Sequence, residues 1–198
     1  MQTGTRPHQR QEPLCLELDP SGRSHRLREM YWERTHEAAV VRRPVAGCGE
    51  TTLVGHANDF AALLEASEPF IQPHELIVGE CMAVPERGEG LDLGEYDPHY
   101  PPGYATLLRK GLAGIRDEAR ERLQAGTSRG RRDFLRAVEI SYEAARRYVR
   151  RYAGYAGDMA SSQPDPTRRA ELARISAVCH ELATGAPTSF HAALQLLQ

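Results

Sequence analysis

The residues best suited to chemistry lie in the ten-residue stretch 95–104, EYDPHYPPGY, directly ahead of a helical pattern. The stretch combines carboxylates, the imidazole of His99, the phenols of Tyr100 and Tyr104, and rigid prolines. The first turn of a helix leaves backbone N–H groups free and partly positive, so such a stretch suits polar ligands and anions. On residue types alone, a proline-rich loop whose rings cover the helix is the favoured interpretation, and a ligand site is the alternative.

The composition is that of an ordinary globular chain. Its 198 residues are enough for one domain with a core, and 40% are hydrophobic and 26% charged. The formal net charge of −2 gives no overall basic field for nucleic acid or an acidic membrane surface. We therefore expect neither nucleic acid nor a membrane among the partners.

Cysteine spacing and the N-terminal residues bound the chemistry further. Cys15, Cys48, Cys81 and Cys179 include no C-x-x-C pair and no Cys/His spacing of the metal-binding kind, so no metal ligand is predicted. The first twenty residues are polar, and no apolar run approaches the roughly 20 residues that span a bilayer. A reduced, cytoplasmic protein is expected.

The first half of the chain alternates short helices with loops. Residues 1–18 are polar and contain two prolines, which predicts a flexible N-terminal arm. A helix capped by Ser21 or Ser24 should reach about Thr35. Further predictions are a helix at about 56–66, an extended stretch at 69–73, a short strand or tight apolar turn at 75–80, and an exposed loop at 85–94.

From Gly103 onward the hydrophobic period becomes 3.6 residues, which predicts amphipathic helices. They are expected at 105–124, 129–161, from Pro166 to about 182 with Asp165 as its N-cap, and at 190–198 with Thr188 or Ser189 as its cap. The residues predicted to face inward include Leu112, Phe134, Tyr148 or Val149, Tyr152, Leu172, Ile175, Cys179, Leu182, Ala193, Leu194 and Leu197. Gly111 and Gly114 at helical positions indicate close approach of another backbone. The predicted fold class is mainly α, with a few short strands or extended segments.

Two pairs of arginines lie close together on the longest predicted helix: Arg146 with Arg147, and Arg150 with Arg151. A cluster of guanidinium groups can bind phosphate, whereas the same spacing also describes the solvated face of an amphipathic helix. The solvated face is the favoured interpretation.

Three stretches in order resemble the N-terminal region of the glycyl radical enzyme, or pyruvate formate-lyase-like, family. Residues 75–79, ELIVG, match a short sequence motif that follows the first helical hairpin in members of this family. Residues 99–115 resemble a sequence pattern of diol-dehydratase-like members that includes a histidine and, further on, two glycines. The third stretch lies within 142–197 and includes Ala170-Glu171-Leu172, Cys179, Ser189-Phe190 and Ala193-Leu194-Gln195. The resemblance covers residues 30 to 198.

The resemblance implies a ten-stranded β/α barrel in which a radical stored on a glycine passes to a cysteine thiyl. A separate iron–sulfur activase that uses S-adenosylmethionine installs that radical. Family members are several times longer than 198 residues, and both radical residues belong to the part beyond Gln198. Cys48 and the stretch Arg151–Tyr155 imitate the two radical motifs, but their order along the chain is wrong, so neither is assigned a catalytic role.

The resemblance also suggests substrate-binding residues. His99 falls where diol-dehydratase-like members use a histidine to hydrogen-bond a substrate hydroxyl, and Tyr100 and Tyr104 would add an aromatic wall. A loop histidine that pairs with a nearby carbonyl is the alternative. The family glycine before this histidine is Pro98 here, and the family aspartate is Gly103, which puts a glycerol- or choline-type specificity in doubt.

The resemblance predicts the N-terminal part of a glycyl radical lyase, dehydratase or acyltransferase, residues 19–198, that is inactive alone and binds no cofactor directly. The last helix reaches Gln198 without a glycine cap, so a truncated chain is expected. Its partners would be the activase and the missing portion, or a homo-oligomer. The alternative is a non-catalytic helical scaffold or a relic of such a gene.

Overall fold

The computed structural model describes residues 22–32, 45–79 and 103–198. Within those ranges the chain forms helices joined by turns and extended segments, and no β-strand is present there. The helices are α1 (Arg23–Trp32), α2 (Leu53–Ala66), α3 (Tyr104–Gln124), α4 (Arg129–Ser162), α5 (Pro166–Leu182) and α6 (Phe190–Leu197). The mainly α class is confirmed. The predicted short strands are not found in the described residues.

The chain divides into two compact units, Met1–His36 and Glu37–Gln198. Helix α1 belongs to the first unit and starts after Gly22, whose positive φ of 64° is a glycine-type conformation. The amide of Arg26 donates to the Gly22 carbonyl at 3.1 Å, which closes the first turn. The predicted arm, residues 1–18, and the predicted loop at 85–94 lie outside the described residues.

Local capping signals set the helix boundaries in the second unit. Thr52 caps α2, because its hydroxyl accepts from the Gly55 amide at 3.0 Å, and α2 therefore starts three residues before the prediction. Asp165 caps α5 by accepting from the Thr167 amide at 3.0 Å, with Pro166 in the first turn. Ser189 caps α6 in the same way at 3.1 Å. The predicted Asp165 cap is confirmed, and of the two cap residues predicted for the last helix, Thr188 and Ser189, it is Ser189 that caps α6.

Helix α4 is the centre of this unit and packs against α2, α3 and α5. Its buried stripe meets a matching stripe on α5, where Leu172, Ile175, Cys179 and Leu182 are almost wholly buried, as predicted. Phe134 was predicted to face inward but is 55% exposed, and its neighbour Leu135 is buried instead. The same 3.6-residue period can be drawn through either position at the start of the helix.

Gly111 interrupts α3 rather than continuing it. Its φ of 63° and ψ of 179° are non-helical, so α3 consists of two helical pieces joined at this residue. A Cβ built at Gly111 would lie 2.3 Å from the carbonyl oxygen of Gly185, in the turn after α5. The predicted close approach of another backbone is confirmed at Gly111. At Gly114 a Cβ would meet only the Lys110 side chain.

Ion pairs join α3 to α4. Glu143 accepts from Arg116 of α3 at 2.6 Å and from Arg146 of its own helix at 2.7 and 3.0 Å. A second pair, Arg120 with Glu139, forms one turn further along at 3.0 Å. Hydrogen bonds from Arg146, and then from Arg116, lower the pKa of Glu143 to about 2 although its partial burial opposes the shift.

This low pKa predicts a pH-dependent contribution to stability. The carboxylate stabilises the folded state above its ordinary pKa of about 4.5, and that contribution is lost as the pH falls through about 2. We expect Glu143→Gln to lower the free energy of unfolding at pH 7, and the difference from wild type to shrink steadily between pH 4.5 and 2. Urea titrations at each pH measure it, with Glu121→Gln on the exposed side of α3 as control. A difference that stays constant down to pH 2 would contradict the assignment.

Candidate functional site

The three sequence-predicted site residues are only partly within the described ranges. His99 and Tyr100 lie outside them. Tyr104 is the first residue of α3, follows Gly103, and is 48% exposed. The Gly103 position offers no side chain to cap the helix, so the first turn of α3 has no side-chain cap hydrogen bond. The substrate-binding role of these residues stays a prediction.

The structure instead brings together two of the three stretches that carry the family resemblance. Residues 72–78, here called the clamped segment, form a turn and a bend rather than a strand. The Gln72 amide donates to the Glu75 carboxylate at 2.8 Å, which folds the segment on itself. Both residues are buried. Of the strand or tight apolar turn predicted at 75–80, the strand is absent from the described residues 75–79, which contain a bend at 76–77, and the turn lies just before them at 73–74.

Helix α5 holds the first part of the clamped segment through Arg168. This guanidinium donates to the carbonyls of Glu75 at 2.7 Å and Gln72 at 2.9 Å, and to the Glu171 carboxylate at 3.0 Å. Arg168 is buried, and its planar fork of N–H donors matches two carbonyls in one turn. The side chain therefore satisfies backbone acceptors that no helix or strand serves.

Helix α6 holds the second part of the segment through two residues one turn apart. His191 Nε2 lies 3.0 Å from the Leu76 carbonyl oxygen. Since a carbonyl only accepts, that nitrogen carries the proton. Gln195 accepts from the Val78 amide at 2.9 Å and donates to the Val78 carbonyl at 2.5 Å. A side-chain amide thus replaces the neighbouring strand that the backbone of Val78 would otherwise need.

The Gln195 contact gives a direct prediction. Gln195→Leu keeps side-chain volume and helix propensity but leaves the buried Val78 amide without its acceptor, at a cost of about 1–3 kcal/mol. Hydrogen exchange of the Val78 amide should then be about fivefold to 150-fold faster, since each 1.4 kcal/mol corresponds to about a factor of ten. Gln124→Leu, at the exposed end of α3, is the matched control and should leave that amide unchanged. Unchanged exchange in Gln195→Leu would mean that the contact does not form in solution.

An apolar cavity of about 380 Å³ lies beside the clamped segment. Its walls come from α2 to α6 and include Phe60, Leu63, Leu112, Tyr148, Leu182 and Leu196. The volume falls in the range of small-molecule sites. The Tyr152 hydroxyl accepts from the Phe70 amide at 3.4 Å and lies 3.5 Å from the Tyr148 hydroxyl. The walls therefore favour apolar contact over acid–base chemistry.

Cys179 also lines this cavity but is not a nucleophile. Burial raises the pKa of its thiol to about 12, so the thiol stays protonated at neutral pH. Cys48, in the first stretch that imitates a radical motif, is exposed, and its amide donates to Asp59 at 2.7 Å. Gly154, in the second, is an exposed residue in the middle of α4. No cluster of three metal-ligating side chains occurs among the described residues.

The arginine cluster on α4 serves two purposes. Arg147 and Arg150 are exposed, which fits the predicted solvated face. Arg151 donates to the carbonyls of Leu64 and Glu65 at the end of α2, the latter at 2.8 Å, and Arg146 pairs with Glu143. Since a cation stabilises the negative end of a helix, Arg151 fixes α2 against α4. The solvated-face interpretation is therefore wrong for Arg146 and Arg151.

The sequence alone assigns no role to His191 or to Arg168. The signal for the α6 contacts was the spacing of His191 and Gln195, which puts two polar side chains on one helix face. Nothing in the local sequence identifies their partners, which lie 115 and 117 residues earlier in the chain.

None of the described helices is both long and apolar enough to cross a membrane.

Comparison with known proteins agrees with the architecture. The family model described as pyruvate formate lyase-like matches residues 95–198. The chain is 36% identical over 103 residues to (2S)-3-sulfopropanediol dehydratase of Klebsiella oxytoca. This alignment covers 50% of this chain and 12% of that protein. The chain is 30% identical over 98 residues to isethionate sulfite-lyase of Oleidesulfovibrio alaskensis, again 12% of that protein. The chain therefore spans only about an eighth of these relatives.

Solved structures show the same fold over a larger part of the chain. A glycerol-bound B12-independent glycerol dehydratase from Clostridium butyricum superposes with a TM-score of 0.62 at 22% identity, covering 88% of this chain and 30% of that one. A glycyl radical enzyme from Archaeoglobus fulgidus gives a TM-score of 0.63 at 20% identity, covering 89% and 31%. Most of each solved chain has no counterpart here.

Proposed function

Since the chain belongs to the pyruvate formate lyase-like family, we propose that residues 19–198 supply the N-terminal helical part of a glycyl radical enzyme. The reaction would be dehydration or lysis of a small hydroxylated substrate. Two similar proteins support this class, because one is a sulfopropanediol dehydratase and the other is a glycerol dehydratase. Cytoplasmic location and partnership with a radical-installing activase belong to the same proposal.

The observation that carries the proposal is the contact between the clamped segment and α6. The clamped segment overlaps the first stretch of the family resemblance, and α5 and α6 lie in the third. Side chains of α5 and α6 join the two stretches across more than ninety residues of sequence. A chance match of isolated motifs gives no reason for them to meet. The contact therefore supports one folded unit of the family type.

The radical chemistry would be supplied by polypeptide outside these 198 residues. Cys179 is buried with a raised pKa, and Gly154 is a regular helical residue of α4, so neither offers a reactive loop. In this proposal the chain's own contribution is substrate binding. His99 would hydrogen-bond a substrate hydroxyl, and Tyr100 and Tyr104 would exclude water from that side of the substrate.

A chimera tests the proposal. Residues 95–198 of this chain would replace the aligned stretch of the Klebsiella oxytoca dehydratase, which would then be treated with its activase, S-adenosylmethionine and reductant. We expect a glycyl doublet in electron spin resonance and measurable dehydration of sulfopropanediol. The 198-residue chain alone, treated identically, should give no doublet. A doublet from the chain alone, or a folded chimera without one, would overturn the proposal.

The same chimera tests the binding role of His99. His99→Ala removes one hydrogen bond to substrate, so kcat/KM should fall about tenfold to a hundredfold while the doublet keeps its intensity. His180→Ala, on an exposed position of α5, is the matched histidine control. Equal kinetics for the His99 variant and the control would show that His99 does not bind substrate.

A second candidate function rests on a different observation. Three large apolar side chains of α6 are exposed, and exposed apolar patches of this kind mark interaction surfaces. A non-catalytic helical module would use that face to bind a partner. An inactive chimera together with stable, specific binding by the chain would favour this alternative.

A further inference from the structure

Helix α6 presents an apolar stripe to solvent. Phe190 is 80% exposed, Leu194 42% and Leu197 39%. Their spacing of four and three residues places them on one face of the helix. The same periodicity led the sequence analysis to predict Leu194 and Leu197 as inward-facing. That prediction is wrong for this chain as it stands, because the face looks away from its own core.

The orientation of α6 is fixed by its opposite face. Ala192 is fully buried, Leu196 packs against Val178 and Leu182, and His191 and Gln195 bind the clamped segment. Rotating the helix to bury the stripe would break these hydrogen bonds and leave the Leu76 and Val78 backbone groups without them. The stripe therefore needs cover from outside the described fold.

The stripe also has a definite chemistry. Helix α6, FHAALQLL, contains no Asp, Glu, Lys or Arg, so its surface suits an uncharged, apolar partner. Gln195, Leu196 and Gln198 at the same end of the chain line the apolar cavity. Helix α6 therefore carries the exposed stripe and also helps to line the cavity, and most of its circumference is apolar.

We propose that the stripe of Phe190, Leu194 and Leu197 is the docking surface for the remaining polypeptide of a pyruvate formate lyase-like enzyme, and this rests on the function proposed above. The matched solved structures supply the occupant, because this chain covers only 30% and 31% of them. The rest of such a chain, about two thirds of its length, has no counterpart here, and we take that part as the occupant of the stripe.

Thiol labelling in two contexts tests this inference. Leu194→Cys is made in the 198-residue chain and in the Klebsiella oxytoca chimera, and the labelling rate of that peptide is followed by mass spectrometry. We expect at least a tenfold slower rate in the chimera. Arg150→Cys, an exposed position on α4, is the control and should change by less than twofold.

The outcomes separate this inference from the proposed function. A chimera that gives the glycyl doublet but labels position 194 as fast as the free chain overturns the docking surface alone. Protection without a doublet supports the docking surface and leaves the catalytic proposal to fail. Slow labelling already in the free chain, with a dimer in sedimentation, shows that a second copy covers the stripe and overturns the inference.

A second variant needs no chimera. Phe190→Gln, Leu194→Gln and Leu197→Gln together should leave the melting temperature of the 198-residue chain within about 2 °C of wild type, because exposed substitutions outside the core change stability little. Self-association or precipitation of the chain should decrease. Unfolding of this triple variant would show that the stripe belongs to the chain's own core, and the inference would be wrong.

Discussion

Gly111→Ala should lower the free energy of unfolding by about 4 kcal/mol or more, which is exceptional for the addition of one methyl group. Two effects combine. Gly111 has a φ of 63°, a conformation that costs an alanine about 1–3 kcal/mol. The new Cβ would also lie 2.3 Å from the Gly185 carbonyl oxygen, and backbone atoms cannot move aside as a flexible side chain can. Urea unfolding followed by circular dichroism measures the difference.

Gly154→Ala is the matched control. This glycine is an exposed, regular position of α4, and a Cβ there meets nothing within 4 Å. The substitution should raise the free energy of unfolding by about 0.5–1 kcal/mol, since alanine is the better helix former. The two variants thus make the same chemical change, but we expect them to shift the free energy of unfolding in opposite directions. Similar effects for both would mean that the α3 interruption at Gly111 is absent in solution.

Local sequence signals predicted most of the helical framework. Asp165 with Pro166, and Ser189, mark helix starts because capping depends on a side chain and an amide two or three residues away. The buried stripe of α5 followed from its period alone. These features need no knowledge of distant parts of the chain, which is why the sequence sufficed for them.

Features that depend on distant contacts were predicted poorly. The rotation of α6 is set by Leu76 and Val78, more than a hundred residues earlier, so the apolar period of α6 could not reveal which side would be free. The role of Arg168 was missed for the same reason. An arginine on an amphipathic helix reads as solvated unless its carbonyl partners are known.

Three side chains hold the clamped segment in place, although it has no neighbouring strand among the described residues. Arg168, His191 and Gln195 bind backbone atoms of residues 72–78 and make no demand on the side chains there, apart from Glu75. The segment is thereby held in register against both α5 and α6. The same hydrogen bonds fix the orientation of α6. They therefore hold the clamped segment and also leave the outer stripe of α6 exposed.

Arg168→Met should therefore destabilise the chain by about 3 kcal/mol or more. Methionine keeps much of the buried stem, whereas loss of the guanidinium removes its donors to Gln72, Glu75 and Glu171 in a buried site. The loss of local stability should be largest in the clamped segment. Amides of residues 72–78 should exchange with solvent at least a hundredfold faster, which hydrogen exchange with mass spectrometry measures.

Two companion variants separate the geometry of Arg168 from its charge. Arg150→Met, on the exposed face of α4, should change the free energy of unfolding by no more than about 0.5 kcal/mol. Arg168→Lys retains the positive charge but not the planar fork, so it should recover less than half of the loss. Full recovery by lysine would show that charge alone holds the segment. In that case the two carbonyl contacts, and the rigid placement of α6 that follows from them, would lose their support.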